Sequence, residues 1–271
     1  MGCLPSRPSR ASKRTPPRAP PPDRCISPPI GGPIMVPSPR PGHKTDDPSL
    51  NPELTRADLL HALDLTSLHL DHHNAEPIMI IALGGALHVL HLRSRLTTSA
   101  LQFFHPAPAS PQNAALAAAA AAAFAVPASG LQERKNRTRN APRLQPNWLT
   151  NAVLLSLPLR LQAHLAAAAC RQNDTVYVSR NGRLRVLAAP WEYVFVSAVA
   201  RMSWSGQRPW DMADAVAALR RWVGLRGGRP VKGAELLSRA EGVYGVFVAR
   251  EVLRDVEGVY EAVWGVRGVV W

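Results

Sequence analysis

The sequence predicts an α/β fold, a mixed sheet flanked by helices, with a disordered N-terminal tail before it and a helical C-terminal extension after it. Three observations carry that expectation. Leucines recur at helical spacing from Leu54 to Leu70, and the β-branched run Ile78-Met79-Ile80-Ile81-Ala82-Leu83 ends at Gly84-Gly85. Helix-like and strand-like stretches then alternate to about residue 225, in a chain of 271 residues with 46% hydrophobic content, enough to bury one sizeable core.

The tail spans residues 1–51. Residues 1–50 hold 14 of the 26 prolines and eight Lys or Arg against three Asp, with almost no periodic apolar positions. Such a composition favours extended chain over a packed core. Behind Pro52, Leu54, Leu59, Leu60, Leu63, Leu65, Leu68 and Leu70 predict a helix over 55–72, with Thr55 as its cap. A buried strand follows over 78–83, closed by the glycine pair, and the chain turns helical again from Ala86 to Arg93. Residues 97–104 read as a second strand, stopped by Pro106, Pro108 and Pro111.

Ala114 to Val126 predicts an alanine-rich helix, shorter than the ~20 residues required to cross a bilayer. A polar loop over 127–146 carries Arg134, Lys135, Arg137, Arg139 and Arg143. Residues 152–157 read as a third strand and 159–171 as a helix. Strands over 175–178 and 184–187 join through Asn181-Gly182, a dipeptide suited to a hairpin turn. Pro190 opens a helix to Met202, and Asp211 caps another to about Val223. The domain is thus expected over 52–225, and the extension over 226–271 reads as one or two helices, with late glycines and valines that could equally form a strand or a fraying tail.

Lys and Arg number 32 against 19 Asp and Glu, a formal net charge of +13 and a pI near 10.9. Anionic partners are favoured: nucleotide phosphates, RNA at the basic loop, or an anionic membrane surface. Three scattered cysteines suggest neither a disulfide framework nor a zinc site and fit a reducing compartment. With no secretory signal visible, the expected location is cytoplasmic. The opening Met1-Gly2-Cys3-Leu4-Pro5-Ser6 matches an acylation pattern, with Gly2 for myristoylation and Cys3 for palmitoylation, and basic residues follow it. Acylation there would tether the chain to a membrane as a peripheral adaptor.

The order helix, strand, Gly84-Gly85, helix, Arg95, Thr98, strand resembles the start of the nucleotidyltransferase fold, in its AbiEii-like and minimal-nucleotidyltransferase group. Further similarity lies in Asn147-Trp148-Leu149-Thr150-Asn151, in Leu184 to Tyr193, and in Arg208-Pro209-Trp210-Asp211-Met212-Ala213-Asp214-Ala215. The resemblance implies a nucleotide site at Gly84, Gly85, Arg95 and Thr98. It also implies two carboxylates one residue apart on the second strand and a third from another strand, holding Mg2+ for attack on an α-phosphorus. Here those two positions are Ala100 and Gln102, and 152–157 contains no acid. No catalytic residue, metal site or cofactor is therefore expected. The expectation is a degenerate, non-catalytic member that binds a protein partner or nucleotide; the alternative is an active nucleotidyltransferase that uses Mg2+ to modify a protein, RNA or small-molecule acceptor.

Among other clusters, His69 and His73 stand at i and i+4, a zinc-like spacing without a partner acid or cysteine downstream. His88 and His91 read as packed or surface residues. Asp211 and Asp214 read as a cap and a solvated or ion-paired side chain, and Glu192 as a charge suiting a helix N-terminus. Trp148, Trp191 and Trp210 read as core anchors, and Trp264 and Trp271 as exposed.

Overall fold

A reciprocal cap starts the folded region: Thr55 Oγ1 accepts from the Asp58 amide at 3.3 Å, and the Asp58 carboxylate accepts from the Thr55 amide at 2.8 Å. The computed structural model describes residues 53–107, 110–125, 144–152, 156–204 and 208–271. Gly2, Cys3, the rest of the tail and the five basic residues of the 127–146 loop lie outside the described residues.

The elements run β1 (Leu54–Thr55), α1 (Arg56–His72), β2 (Ile78–Leu83), α2 (Gly85–Leu87) continued by a wide helical turn over His88–Leu92, β3 (Thr97–Thr98), β4 (Leu101–Phe104) and α3 (Gln112–Ala125). After them come β5 (Leu149–Thr150), α4 (Leu159–Gln172), β6 (Thr175–Val178), β7 (Leu184–Ala188), α5 (Trp191–Trp204) and α6 (Asp211–Leu225). The chain closes with β8 (Val231–Lys232), α7 (Gly233–Gly242), α8 (Arg250–Trp264) and β9 (Val269–Val270).

The five-stranded sheet has the order β5-β4-β2-β7-β6. Its centre, β2, runs parallel to β7 and antiparallel to β4; β5 is parallel to β4 and β6 antiparallel to β7. Ile78, Ile80, Ile81 and Ala82 are each buried to 1% exposure or less, so both faces of β2 are covered. That accounts for its unbroken apolar run, where a half-exposed strand would alternate. Around the sheet, α1 packs against α3 and β7, α5 against α6, and α8 against α5 and α6.

Two strand expectations need correction. Residues 97–104 do not form one strand, because β3 pairs with β1 while β4 pairs with β2, with a break at Ser99-Ala100. The third strand lies at Leu149–Thr150, before the expected 152–157, of which 153–155 lie outside the described residues. Trp148 locates it: its ring is fully buried, its indole N–H donates to the Ala120 carbonyl at 3.3 Å, and its own carbonyl accepts from the Leu101 amide at 2.6 Å.

The C-terminal helices are joined by the parallel pair β8–β9, so the Gly/Val-rich end is partly strand. Trp271 packs so closely on Gly233 that a Cβ there would fall 2.9 Å from its ring, and its indole N–H donates to Glu257 at 3.1 Å. No helix among the described residues is long and apolar enough to cross a membrane.

Candidate functional site

The glycine pair at the end of β2 builds the site. Gly84 has φ +62° and ψ −146°, a conformation that a residue with a Cβ avoids. A Cβ on Gly84 would sit 2.8 Å from Gln102 Oε1, and one on Gly85 would sit 2.5 Å from Thr98 Oγ1 and 3.4 Å from Arg95 Nη1. The turn therefore gathers Gly84, Gly85, Arg95, Thr98 and Gln102 in one place. Ala100, just ahead of β4, contributes only its carbonyl, which accepts from Thr98 Oγ1 at 3.2 Å.

Behind this turn, α6 supplies two fully buried acids, Asp211 and Asp214. Arg95 grips Asp214 through Nε at 2.5 Å and through Nη2, and Ser94 Oγ donates to the same carboxylate at 3.0 Å. Arg201 Nη2 reaches Asp211 at 2.9 Å, and Arg208 adds its backbone N–H at 3.0 Å and its guanidinium at 3.2 Å. Burial pushes the Asp211 carboxyl upward, but hydrogen bonds from Arg208 and the charge of Arg201 outweigh it and hold the group below the ordinary carboxylate range. Burial also lowers the Arg201 guanidinium, against the pull of Asp211.

Asp211 does not cap α6 with its side chain, since Trp210 holds the cap position and the Asp211 carboxylate closes on Arg208 instead. Asp214 is ion-paired and not solvated. Trp210 is no core anchor: it is 39% exposed, with Arg95 and Arg208 lying 5.0 and 5.6 Å from its ring centre. Glu192 does more than suit a helix terminus, because Arg239 of α7 binds it at 2.5 and 3.1 Å.

His88 is 3% exposed, with Nδ1 2.9 Å from Ser94 Oγ and 3.1 Å from Asp214 Oδ1. Ser94 spends its hydroxyl proton on Asp214, so both neighbours of Nδ1 are acceptors and the ring proton belongs on Nδ1. Burial lowers the His88 pKa to about 4; Asp214 opposes this, and Arg95 and Arg201 add to it. The imidazole is neutral at pH 7.

Leu83, Gly84, Gly85, His88, Arg95, Val194, Ser197, Ala198 and Arg201 line a partly open cavity of about 40 Å³. A small polar group fits there, and a whole nucleotide would extend beyond it.

The donors at the expected metal positions do not fit a divalent ion. Ala100 has no side-chain donor, Gln102 offers one neutral amide oxygen beside Gly84, and Thr150, opposite Gln102 across β4–β5, spends its hydroxyl accepting the Ala152 amide. The nearby acid Asp214 is already bound by Arg95. Among the described residues no group of three or more His, Cys, Asp or Glu is placed to hold a metal. The His69 and His73 rings lie 4.5 Å apart, with His73 just past the end of α1 and Asp71 paired to Arg183.

A third buried acid, Asp174, also lies outside the cavity lining. It accepts from Arg221 at 2.8 and 2.7 Å and from Trp191 Nε1 at 2.6 Å, with His91 Nε2 at 3.5 Å. These contacts tie the end of α4 to α5 and α6.

No protein-family model, no curated protein and no solved structure matches the chain.

Proposed function

We propose that the chain is a nucleotidyltransferase-like protein without metal-dependent transfer, binding a nucleotide or a protein partner at the diglycine face. One observation carries the reading. The positions at which the resemblance implies metal carboxylates hold Ala100 and Gln102, the latter beside Gly84, and the Leu149–Thr150 strand that pairs with Gln102 has no acid. The order β2, diglycine turn, short helix, Arg95, Thr98, β4 antiparallel to β2 supports the resemblance itself. Arg95 and Arg201, each paired with a buried aspartate, line the cavity, and its size suits a phosphate end better than a base and sugar.

Thermal unfolding of the full chain with each nucleoside triphosphate, with and without magnesium or manganese, tests the reading. At a ligand concentration of about 100 times Kd, binding adds roughly 2.7 kcal/mol, on the order of 5–10 °C. A metal-independent shift, or no nucleotide shift together with capture of a protein partner that is lost in Gly85→Val, agrees with the proposal. A shift that requires the metal overturns it in favour of the active transferase.

A further inference from the structure

The last turn of α8 departs from the pattern that seats the rest of that helix. Leu253, Val256 and Tyr260 are buried against the core, but over 262–266 the chain reads Ala-Val-Trp-Gly-Val, without a polar side chain, and every residue of that stretch is exposed. Val263 is 58% exposed, Trp264 44% and Val266 52%. Successive helical residues point about 100° apart, so Ala262, Val263 and Trp264 present apolar surface in three directions at once. A helix end that served only to pack on its own domain would keep one apolar side and turn polar residues to water.

Cations stand around this tip. Between Asp214 and Glu235 the chain has five Lys or Arg and no acid. Arg221 belongs to Asp174, whereas Arg220, Arg226, Arg229 and Lys232 form no ion pair among the described residues. Direct contacts bring part of this run to the tip. The Arg220 guanidinium lies 4.5 Å from the Trp264 ring centre, a Cβ on Gly268 would fall 2.8 Å from Leu219, and the Val231 amide donates to the Gly268 carbonyl at 2.8 Å. The β8–β9 register sets Lys232 beside Val270, close behind Arg267. The α6 dipole accounts for Arg226 and Arg229, which follow its C-terminus, but not for Arg220, Lys232 or Arg267. Two acids stand near, Glu261 at 3.5 Å from Arg267 and Glu235 in the first turn of α7, and they leave the group basic.

We infer that the end of α8 is a membrane-contact surface: the tip over 262–266 enters the interface of an anionic bilayer, while Arg220, Lys232 and Arg267 meet lipid phosphates. The valines and the tryptophan gain by leaving water only in a partner with an apolar interior, and the cations gain only where that partner is negatively charged at its surface. An anionic bilayer offers both within the depth of one side chain. A second copy of this chain would set like charges against each other. Single-stranded nucleic acid would use one ring, on which Arg220 already lies, and would leave the two valines without a counterpart. The contact is peripheral and reversible, and it is separate from the acylation pattern at Gly2 and from the diglycine turn.

The test is co-sedimentation of the full chain with phosphatidylcholine vesicles and with mixed phosphatidylcholine–phosphatidylserine vesicles, at low and at raised salt. The basic N-terminal sequence also favours the anionic vesicles, so substitutions at the tip decide. Val263→Asp combined with Val266→Asp should weaken binding to the anionic vesicles roughly tenfold or more, the scale of two apolar side chains kept in water, with an unchanged midpoint in thermal unfolding. Lys232→Glu should weaken binding at low salt and have little effect at raised salt. If the double aspartate variant does not fold, Val263→Ser combined with Val266→Ser takes its place, with a smaller loss in the same direction.

Equal binding of the unaltered chain and a folded tip variant to the anionic vesicles overturns the inference, as does the absence of vesicle binding by the full chain. Loss in the tip variant of single-stranded oligonucleotide binding, or of a concentration-dependent dimer in sedimentation, with vesicle binding unchanged, overturns it too and assigns the surface to that other partner. None of these readouts involves a nucleotide or a metal, so failure here is distinct from failure of the proposed function.

Discussion

Lowering the pH from 7 to 5 should weaken the fold through His88. His88 is buried with a pKa of about 4, against an ordinary value of 6.5. Because the folded value is depressed, the unfolded chain binds the extra proton between pH 6.5 and 4, so stability is lost as pH falls through that window. Integrating the single-site linkage from pH 7 to 5 gives a loss of about 2 kcal/mol. Chemical denaturation of the full chain at half-unit pH steps reads this directly. His88→Asn retains a donor toward Asp214 but does not titrate, so its curve should be flatter by about that amount over the same interval. An identical slope in the two proteins would refute the assignment of a buried neutral imidazole.

Asp174 behaves in the opposite pH range. Burial raises its carboxyl, but hydrogen bonds from His91, Arg221 and Trp191 prevail and hold it well below the ordinary range, so its stabilisation is present above about pH 4 and falls away in stronger acid. Asp174→Asn should cost about 2 kcal/mol in denaturant unfolding at pH 7, a figure discounted because Arg221 is 39% exposed. Gly84→Ala should cost roughly 2–3 kcal/mol, from positive φ plus the 2.8 Å approach to Gln102, and adding Gln102→Ala should recover only the contact part. Trp148→Ala should destabilise by about 3–5 kcal/mol and Trp210→Ala by about 1 kcal/mol, because the first ring is fully buried and the second faces solvent between two arginines. Comparable losses for the two tryptophans in the same unfolding assay would contradict that contrast.

Local signals carried much of the architecture. The β-branched run over 78–83 coincides with β2, the Thr55 cap and leucine spacing with α1, and Asn181-Gly182 with the turn between β6 and β7. Periodicity failed where pairing partners decide the outcome. Thr97-Thr98 and Leu101–Phe104 have one strand-like composition yet join different sheets, and Leu149-Thr150 becomes a strand because β4 offers its edge there.

At the site, Gly84, Gly85, Arg95 and Thr98 were singled out through the resemblance, and the turn gathers those four residues, since its geometry demands glycine and the following segment returns over it. The roles of His88, Asp211 and Asp214 were not legible. An Asp-x-x-Asp spacing announces one helix face, but only the packing of α6 against the turn over His88–Leu92 reveals that this face is buried against Arg95. Arg201 is 106 residues from Arg95 in the chain, and no local pattern links them.

Titrating Mn2+ into the full chain, with and without a nucleoside triphosphate, and reading the free-ion signal by electron paramagnetic resonance asks whether the diglycine turn still holds a metal. The protein should leave the free manganese unchanged beyond what the nucleotide alone binds. A stoichiometric, protein-dependent loss of free ion that disappears in Gly85→Val would place a working metal site at the diglycine turn and contradict the proposed loss of metal-dependent transfer.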